Sequence, residues 1–192
     1  MVVRGYAIFD TAIGRCGIVW SQTGLVAVQL PEARELETRR RIFLAHPEAR
    51  EQRPSDNAEL AIEGIIALLQ GGDPDFSDVS LDAGGVPGFH RRVYEATCAV
   101  PRGETRTYAE IARALGVSGA VHAVAQALAK NPYMLIVPCH RVLEAGNYPD
   151  RLSPYGGIVS KRRLLALEGA HPIASKTLFE VLLPAAPQRP ST

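Results

Sequence analysis

No stretch of this 192-residue chain approaches the roughly 18 consecutive apolar residues that a membrane-spanning helix requires, so membrane residence is not expected. The opening residues, Met-Val-Val-Arg-Gly-Tyr-Ala, lack the apolar core and small-residue cleavage site of a secretory signal. Cysteine is scarce too. Cys16, Cys98 and Cys139 form an odd, widely spaced set, which argues against a disulfide framework and for a reducing, cytoplasmic setting. What remains is an ordinary globular composition, 46% hydrophobic and 21% charged, in a chain long enough for one large domain or two small ones.

The net charge of +1 conceals an asymmetry. Residues 1–85 hold 8 basic against 13 acidic residues, a net of −5, whereas residues 86–169 hold 11 against 6, a net of +5. If a polyanion is the partner, the second half is drawn to it and the first is repelled. A chance division of charge would look the same.

The first half reads as strands followed by helices. Gly5 to Asp10, Arg15 to Trp20 and Gly24 to Leu30 are apolar or alternating, separated by turn residues, which predicts an antiparallel meander. Residues 32–53, rich in Arg, Glu and Ala, predict an exposed helix. Asn57 to Gln70, with Leu60, Ile62, Ile65, Ile66, Leu68 and Leu69, predicts a buried one ending at Gly71-Gly72. Residues 71–88 are rich in Gly, Asp and Pro and read as a linker.

From Phe89 the period is helical. Phe89, Val93, Tyr94, Ala96 and Val100 share a helix side that stops at Pro101. Thr107 and Glu110 form a capping box at the start of a short helix carrying Ile111, Ala112 and Leu115. Gly116-Val-Ser-Gly119 turns the chain into a second helix, residues 120–130, with Val121, Val124 and Leu128 inward. Two short helices joined by a glycine-containing turn suggest a helix-turn-helix, although such pairs also occur in plain cores. The outer face of the second helix reads as bare, with Ala123, Ala125, Ala127 and Ala129 around His122 and Gln126. Such a surface could approach a groove wall closely or pack tightly inside the protein. Tyr133 to Val137 is expected as a buried strand or extended segment, and a last helix is expected from Ser160, its cap, to Glu168. Lys161, Arg162 and Arg163 fall on its first turn, in reach of phosphates, and residues 171–192 read as a tail.

The chemistry concentrates in Leu135-Ile-Val-Pro-Cys-His-Arg-Val142. A thiol ends an apolar run directly after proline, with an imidazole and a guanidinium next. An ordinary thiol is mostly protonated at neutral pH, so a nucleophilic Cys139 needs a neighbouring base, and His140 is the candidate.

Several motifs in order carry a resemblance: Phe89-x-x-x-Val-Tyr94, Pro101-x-Gly-Glu-Thr-x-x-Tyr108, Ala120-Val-x-Ala-Val124, Asn131-Pro132, Ile136-Val-Pro-Cys-His-Arg-Val142, Tyr155-Gly-Gly157 and Lys161-x-x-Leu-Leu-x-x-Glu-Gly169. Residues 86–170 resemble the alkyltransferase domain of O6-alkylguanine-DNA alkyltransferases. Residues 1–85 resemble the family's N-terminal domain more weakly, through the Tyr6 to Leu30 meander. The resemblance implies an α+β fold: a small antiparallel-sheet, ribonuclease-H-like N-terminal domain and a mainly helical C-terminal domain with a helix-turn-helix.

It also implies single-use transfer of a methyl or other alkyl group from guanine O6, and from O4-methylthymine, to Cys139. His140 would take the thiol proton through a water, Glu168 would orient His140, and Asn131 would hold the turn that supports the cysteine. Tyr108 would crowd the 3′ phosphate, while backbone N–H groups around Ser160 would donate to O6. Met134, Val142 and Tyr155 would wall the pocket, and His122, Ala123, Gln126, Arg141 and Lys161 would touch DNA. The partner implied is double-stranded DNA carrying the lesion, entered from the minor groove with the base flipped out, and the protein is expected to act as a monomer.

Three features depart from the pattern. His122 stands where relatives place an arginine that fills the space of the flipped base, which predicts slower repair without loss of it. The segment from Glu144 to Leu152 is slightly long, and Pro154 sits where relatives have an aromatic residue. Some relatives bind zinc in the N-terminal domain, but Cys16 has no nearby partner of the correct kind, so neither metal nor cofactor is expected. Two other readings stay open at this level: a noncatalytic lesion-binding relative, against which Cys139 itself argues, and a thiol hydrolase built on Cys139 and His140.

Overall fold

The computed structural model describes residues 4–145 and 157–170, apart from the side chains of residues 157–160. Three strands open the fold, β1 (Gly5–Thr11), β2 (Gly14–Trp20) and β3 (Leu25–Gln29), paired antiparallel as the alternation predicts. Because successive side chains point to opposite faces, Ala7, Phe9, Cys16, Ile18 and Trp20 face one layer, while Tyr6, Ile8 and Val19 face another.

Helix α1 (Glu35–Ala45) covers the second face, laying Ile42 over Gly17, where any side chain would collide with it. The expected helix over residues 32–53 is therefore shorter. Pro47 cannot continue a helix, and beyond it β4 (Arg50–Glu51) joins the edge of β1 in parallel, giving the sheet order β3-β2-β1-β4. Helix α2 (Asp56–Leu69) starts at Ser55, whose side chain accepts from the Ala58 N–H at 3.4 Å, and buries Ala58, Ala61, Ile65, Leu68 and Leu69 against the first face. Leu60, expected inside, is 41% exposed because it falls on the opposite side of the helix.

The stretch expected as a linker is in part zipped to the sheet. The Leu25 N–H donates to the Ser80 carbonyl at 2.9 Å and the Asp82 N–H donates to the Leu25 carbonyl at 2.7 Å, with Val79 buried beneath. The C-terminal helices then pack on the same core. α3 (Gly88–Cys98) buries Val93, Tyr94 and Thr97. α4 (Tyr108–Ala114) and α5 (Val121–Ala129) form the expected helix pair, α5 being preceded by a 3-10 turn over Ser118–Ala120. A short parallel pair with no signal in the sequence, β5 (Arg106–Thr107) and β6 (Val142–Leu143), ties the start of α4 to the chain after Cys139. α6 (Gly157–Leu167) starts before Ser160, so that residue lies within the helix and is not its cap. One apolar cluster runs through both halves, joining Ile18, Leu25 and Val28 to Val93, Val124 and Leu135. Residues 146–156, which include Tyr155 and Pro154, and the tail from 171 lie outside the described residues. Among the described residues no helix is long and apolar enough to cross a membrane.

The capping box that opens α4 is complete. Thr107 Oγ1 accepts from the Glu110 N–H at 3.2 Å, and Glu110 Oε2 accepts from the Thr107 N–H at 2.6 Å. Thr107→Ala is expected to lower unfolding stability by about 1 kcal/mol, measured by urea denaturation. A midpoint equal to that of the unaltered protein would contradict this.

Candidate active site

Asn131 and a tight turn bring the thiol to its place. The Asn131 side chain is 2% exposed and holds both ends of the following segment, its Oδ1 accepting from the Tyr133 N–H and its Nδ2 donating to the Val137 carbonyl, both at 3.0 Å. The strand or extended segment expected over Tyr133 to Val137 is instead this turn. The Val137 N–H donates to the Tyr133 carbonyl at 2.8 Å, and Leu135, fully enclosed, takes a φ of +75°. A non-glycine residue in that region persists only where its surroundings over-determine it. Pro138, at φ −79° and ψ 62°, adds an inverse γ-turn, closed by the Cys139 N–H on the Val137 carbonyl at 2.8 Å. Cys139 then begins one 3-10 turn, Cys139–Arg141, half-buried, while His140 beside it is buried.

His140 and Glu168, 28 residues apart, meet in the interior, with Nε2 to Oε1 at 2.8 Å. Glu168 lies just past the C-terminal end of α6, where the helix dipole disfavours a negative charge. The helix stops there through Gly169, at φ +72°. The Gly169 N–H returns to the Ala166 carbonyl and the Ala170 N–H to the Leu165 carbonyl, the Schellman arrangement. Arg141 compensates the carboxylate. Its Nε donates to Oε2 and its Nη2 to Oε1, both at 2.9 Å, and its Nη1 donates to the Val100 carbonyl at 2.7 Å. Burial works to raise the Glu168 carboxyl, but the hydrogen bonds from His140 and Arg141 outweigh it and hold the pKa down to about 2. Glu168 is thus an acceptor only. Nε2 of His140 must carry a hydrogen, and in the neutral ring Nδ1 is left as the basic nitrogen. Burial lowers the His140 pKa despite the upward pull of Glu168, so the neutral ring is the resting form.

Two residues expected at DNA are committed elsewhere. Arg141 is the bidentate partner of Glu168, and Lys161, 6% exposed, donates to the Val142 carbonyl at 2.6 Å with its ammonium 5.7 Å from the centre of the Tyr108 ring. Neither role has a sequence signal, since 27 residues separate Arg141 from Glu168 and 53 separate Tyr108 from Lys161. Of the four alanines expected on the outer face of α5, Ala125 and Ala127 are buried; Ala123 and Ala129 are half-buried, and His122 and Gln126 are exposed. His122 Nε2 lies 3.0 Å from Gln126 Nε2, one helical turn on. A cleft of about 460 Å³ is lined by Tyr108, Val121, His122, Ala125 and Glu144. Met134 and Val142 are buried in the core. Tyr155 lies outside the described residues, and Ser160 is described only by its helical backbone.

The His140 and Glu168 pKa values are both lower in the fold than in an unfolded chain, so on acidification the unfolded chain takes up protons first. Their contribution to stability is complete above about pH 6.5, the ordinary histidine value. It is lost as pH falls, first through the window of His140 and then toward that of Glu168. The urea midpoint is expected to drop between pH 7 and pH 5, and His140→Asn is expected to shrink that drop; an undiminished drop in the variant would refute the assignment.

Residues 88–170 match the family described as 6-O-methylguanine DNA methyltransferase, DNA binding domain. The chain is 45% identical over 121 residues to a methylated-DNA–protein-cysteine methyltransferase of Mycolicibacterium paratuberculosis, covering 62% of this chain and 70% of that one. It is 33% identical over 157 residues to one from Methanothermobacter thermautotrophicus, covering 80% and 78%. The fold is similar to the crystal structure of Mycobacterium tuberculosis OGT in complex with DNA, with a TM-score of 0.69, 33% identity, and coverage of 86% of this chain and 92% of that one.

Proposed function

The chain belongs to the methylated-DNA–protein-cysteine methyltransferases and is a DNA-repair alkyltransferase, and we propose that Sγ of Cys139 is the atom on which each molecule ends its single turnover. The observation that carries this assignment is the buried network His140–Glu168–Arg141 immediately after the cysteine. With Glu168 ionised and Nε2 donating to it, the other ring nitrogen is the base available to Cys139. The proton passes to His140, and the thiolate attacks the methyl carbon. The S–C bond forms as the C–O6 bond breaks, and guanine keeps the electron pair, takes up a proton and leaves as the normal base. The thioether product is not readily hydrolysed, so the protein is consumed.

The lesion reaches the thiol by leaving the stack, because guanine O6 faces its pairing partner in the duplex. We assign the surface that meets the minor groove to the exposed face of α5, with His122 and Gln126 on it and Tyr108 lining the same cleft as His122. Exposed Arg91, Arg113, Lys130 and Arg162 supply the positive charge of this half for phosphate contact. The unit is a monomer acting in the cytoplasm, where the thiol stays reduced. Cys139 argues against a role limited to lesion binding.

The test is intact mass after incubation with an O6-methylguanine oligonucleotide. One added methylene on the Cys139 peptide, absent in Cys139→Ser, is the expected result; tight binding with no mass change would sink the assignment. His140→Ala is expected to slow transfer by about 100-fold or more, followed by rapid-quench single turnover. His122→Arg is expected to speed transfer several-fold on duplex DNA and much less on the free alkylated base. Equal gains on both substrates would show that His122 does not act at the flipped base.

A further inference from the structure

The segment that presents Cys139 meets the N-terminal half most directly through the Tyr133 side chain. Tyr133 opens the strained turn and is 2% exposed, and a buried phenol must place its hydroxyl on an acceptor. The Tyr133 hydroxyl donates to the Asp82 carbonyl at 2.6 Å. Asp82 is itself fixed: its N–H donates to the Leu25 carbonyl at 2.7 Å, and its carboxylate accepts from Ser21 Oγ at 2.6 Å and from the Gly84 N–H at 3.1 Å. On the backbone side, the Val28 N–H of β3 donates to the Pro132 carbonyl at 2.8 Å. The Tyr133 ring meets Tyr94 edge to face with centroids 6.2 Å apart, and the Tyr94 hydroxyl donates to Ala127 at the end of α5. Burial pushes the Tyr133 phenol up to about 12, so it stays a neutral donor throughout the working range.

Filling this volume needs only a ring; phenylalanine would do it. The hydroxyl adds direction, and it acts where the chain is least able to hold itself. Tyr133 supplies the carbonyl that closes the turn through Val137, inside which Leu135 sits at its left-handed φ, and Cys139 follows that turn through a single proline. A small change in the angle of residue 133 is carried along this short, rigid path to the sulfur. We infer that Tyr133 is a positioning residue, the clamp through which the N-terminal half fixes the turn that sets Cys139 beside His140. The inference rests on Cys139 being the methyl acceptor.

Tyr133→Phe keeps the ring and removes the bond to Asp82. Single-turnover transfer is measured across a range of DNA concentrations and again with free O6-methylguanine. The maximal rate is expected to fall roughly tenfold on both substrates, within what a small misplacement of reacting groups costs, while the half-saturating DNA concentration stays unchanged. Ser21→Ala loosens Asp82 from a site in the N-terminal turn, and is expected to give a smaller loss of the same kind. It carries the test alone if Tyr133→Phe does not fold. Maximal rates equal to that of the unaltered protein would overturn the inference, as would a loss seen only in the half-saturating concentration. Methylation of Cys139 in the unaltered protein keeps the two questions apart. Its absence sinks the functional reading beneath the clamp, whereas its presence with unslowed variants sinks the clamp alone.

Discussion

An ionised carboxylate held in the interior at the wrong end of a helix is the constraint around which the C-terminal half is built. Glu168 lies where the α6 dipole opposes its charge and where water is excluded, and either condition alone would favour the protonated acid. His140 and Arg141 reverse the balance, the first with one hydrogen bond and the second with two parallel ones. The charge cannot be removed piecemeal, because taking one member from such a buried network leaves another charged or polar group without compensation. The same guanidinium reaches the Val100 carbonyl, so the network also ties the chain just after α3 to the Cys139 turn and to α6. The tautomer of His140 follows from this charge.

The turn before the cysteine shows how much surrounding structure such a site needs. Asn131 bonds both ends of a segment that contains a left-handed leucine, and Pro138 leaves Cys139 little freedom. None of this would hold as an isolated loop. Leu135 is buried in the cluster that also contains Ile18, Leu25 and Val28 of the sheet, so the N-terminal half forms part of the wall against which the turn is pressed. That half carries the acidic excess and presents no cluster of three or more possible metal ligands among the described residues. It packs Ile18, Leu25 and Val28 into the same cluster as Leu135.

Short-range patterns were readable wherever a local period or cap decided the outcome. The meander, α2, α3 and the Thr107–Glu110 box fall where alternation, helical spacing and capping place them. Local pattern misleads where a distant partner decides the conformation. Arg50 and Glu51 look helical by composition but pair with β1, and the polar stretch after Gly71 is drawn onto Leu25. The apolar run from Tyr133 is a turn because the Asn131 side chain supplies hydrogen bonds that a strand would seek from a neighbour. Ala125 and Ala127 were indistinguishable from Ala123 and Ala129 in sequence, since alanine carries no mark of the face it occupies.

By itself the sequence determined which atoms could react. A thiol after proline, an imidazole next to it and a carboxylate at a helix end are properties of residue type and order, and they survive any error in the elements between them. Only the tertiary structure decided what those atoms do to one another. Arg141 and Lys161 are cations of the kind that phosphates attract, yet the fold turns the first onto Glu168 and the second onto the Val142 carbonyl. A side chain's charge is written in the chain, but its partner is set by packing, which brings together residues dozens of positions apart and removes the water that would otherwise have answered them.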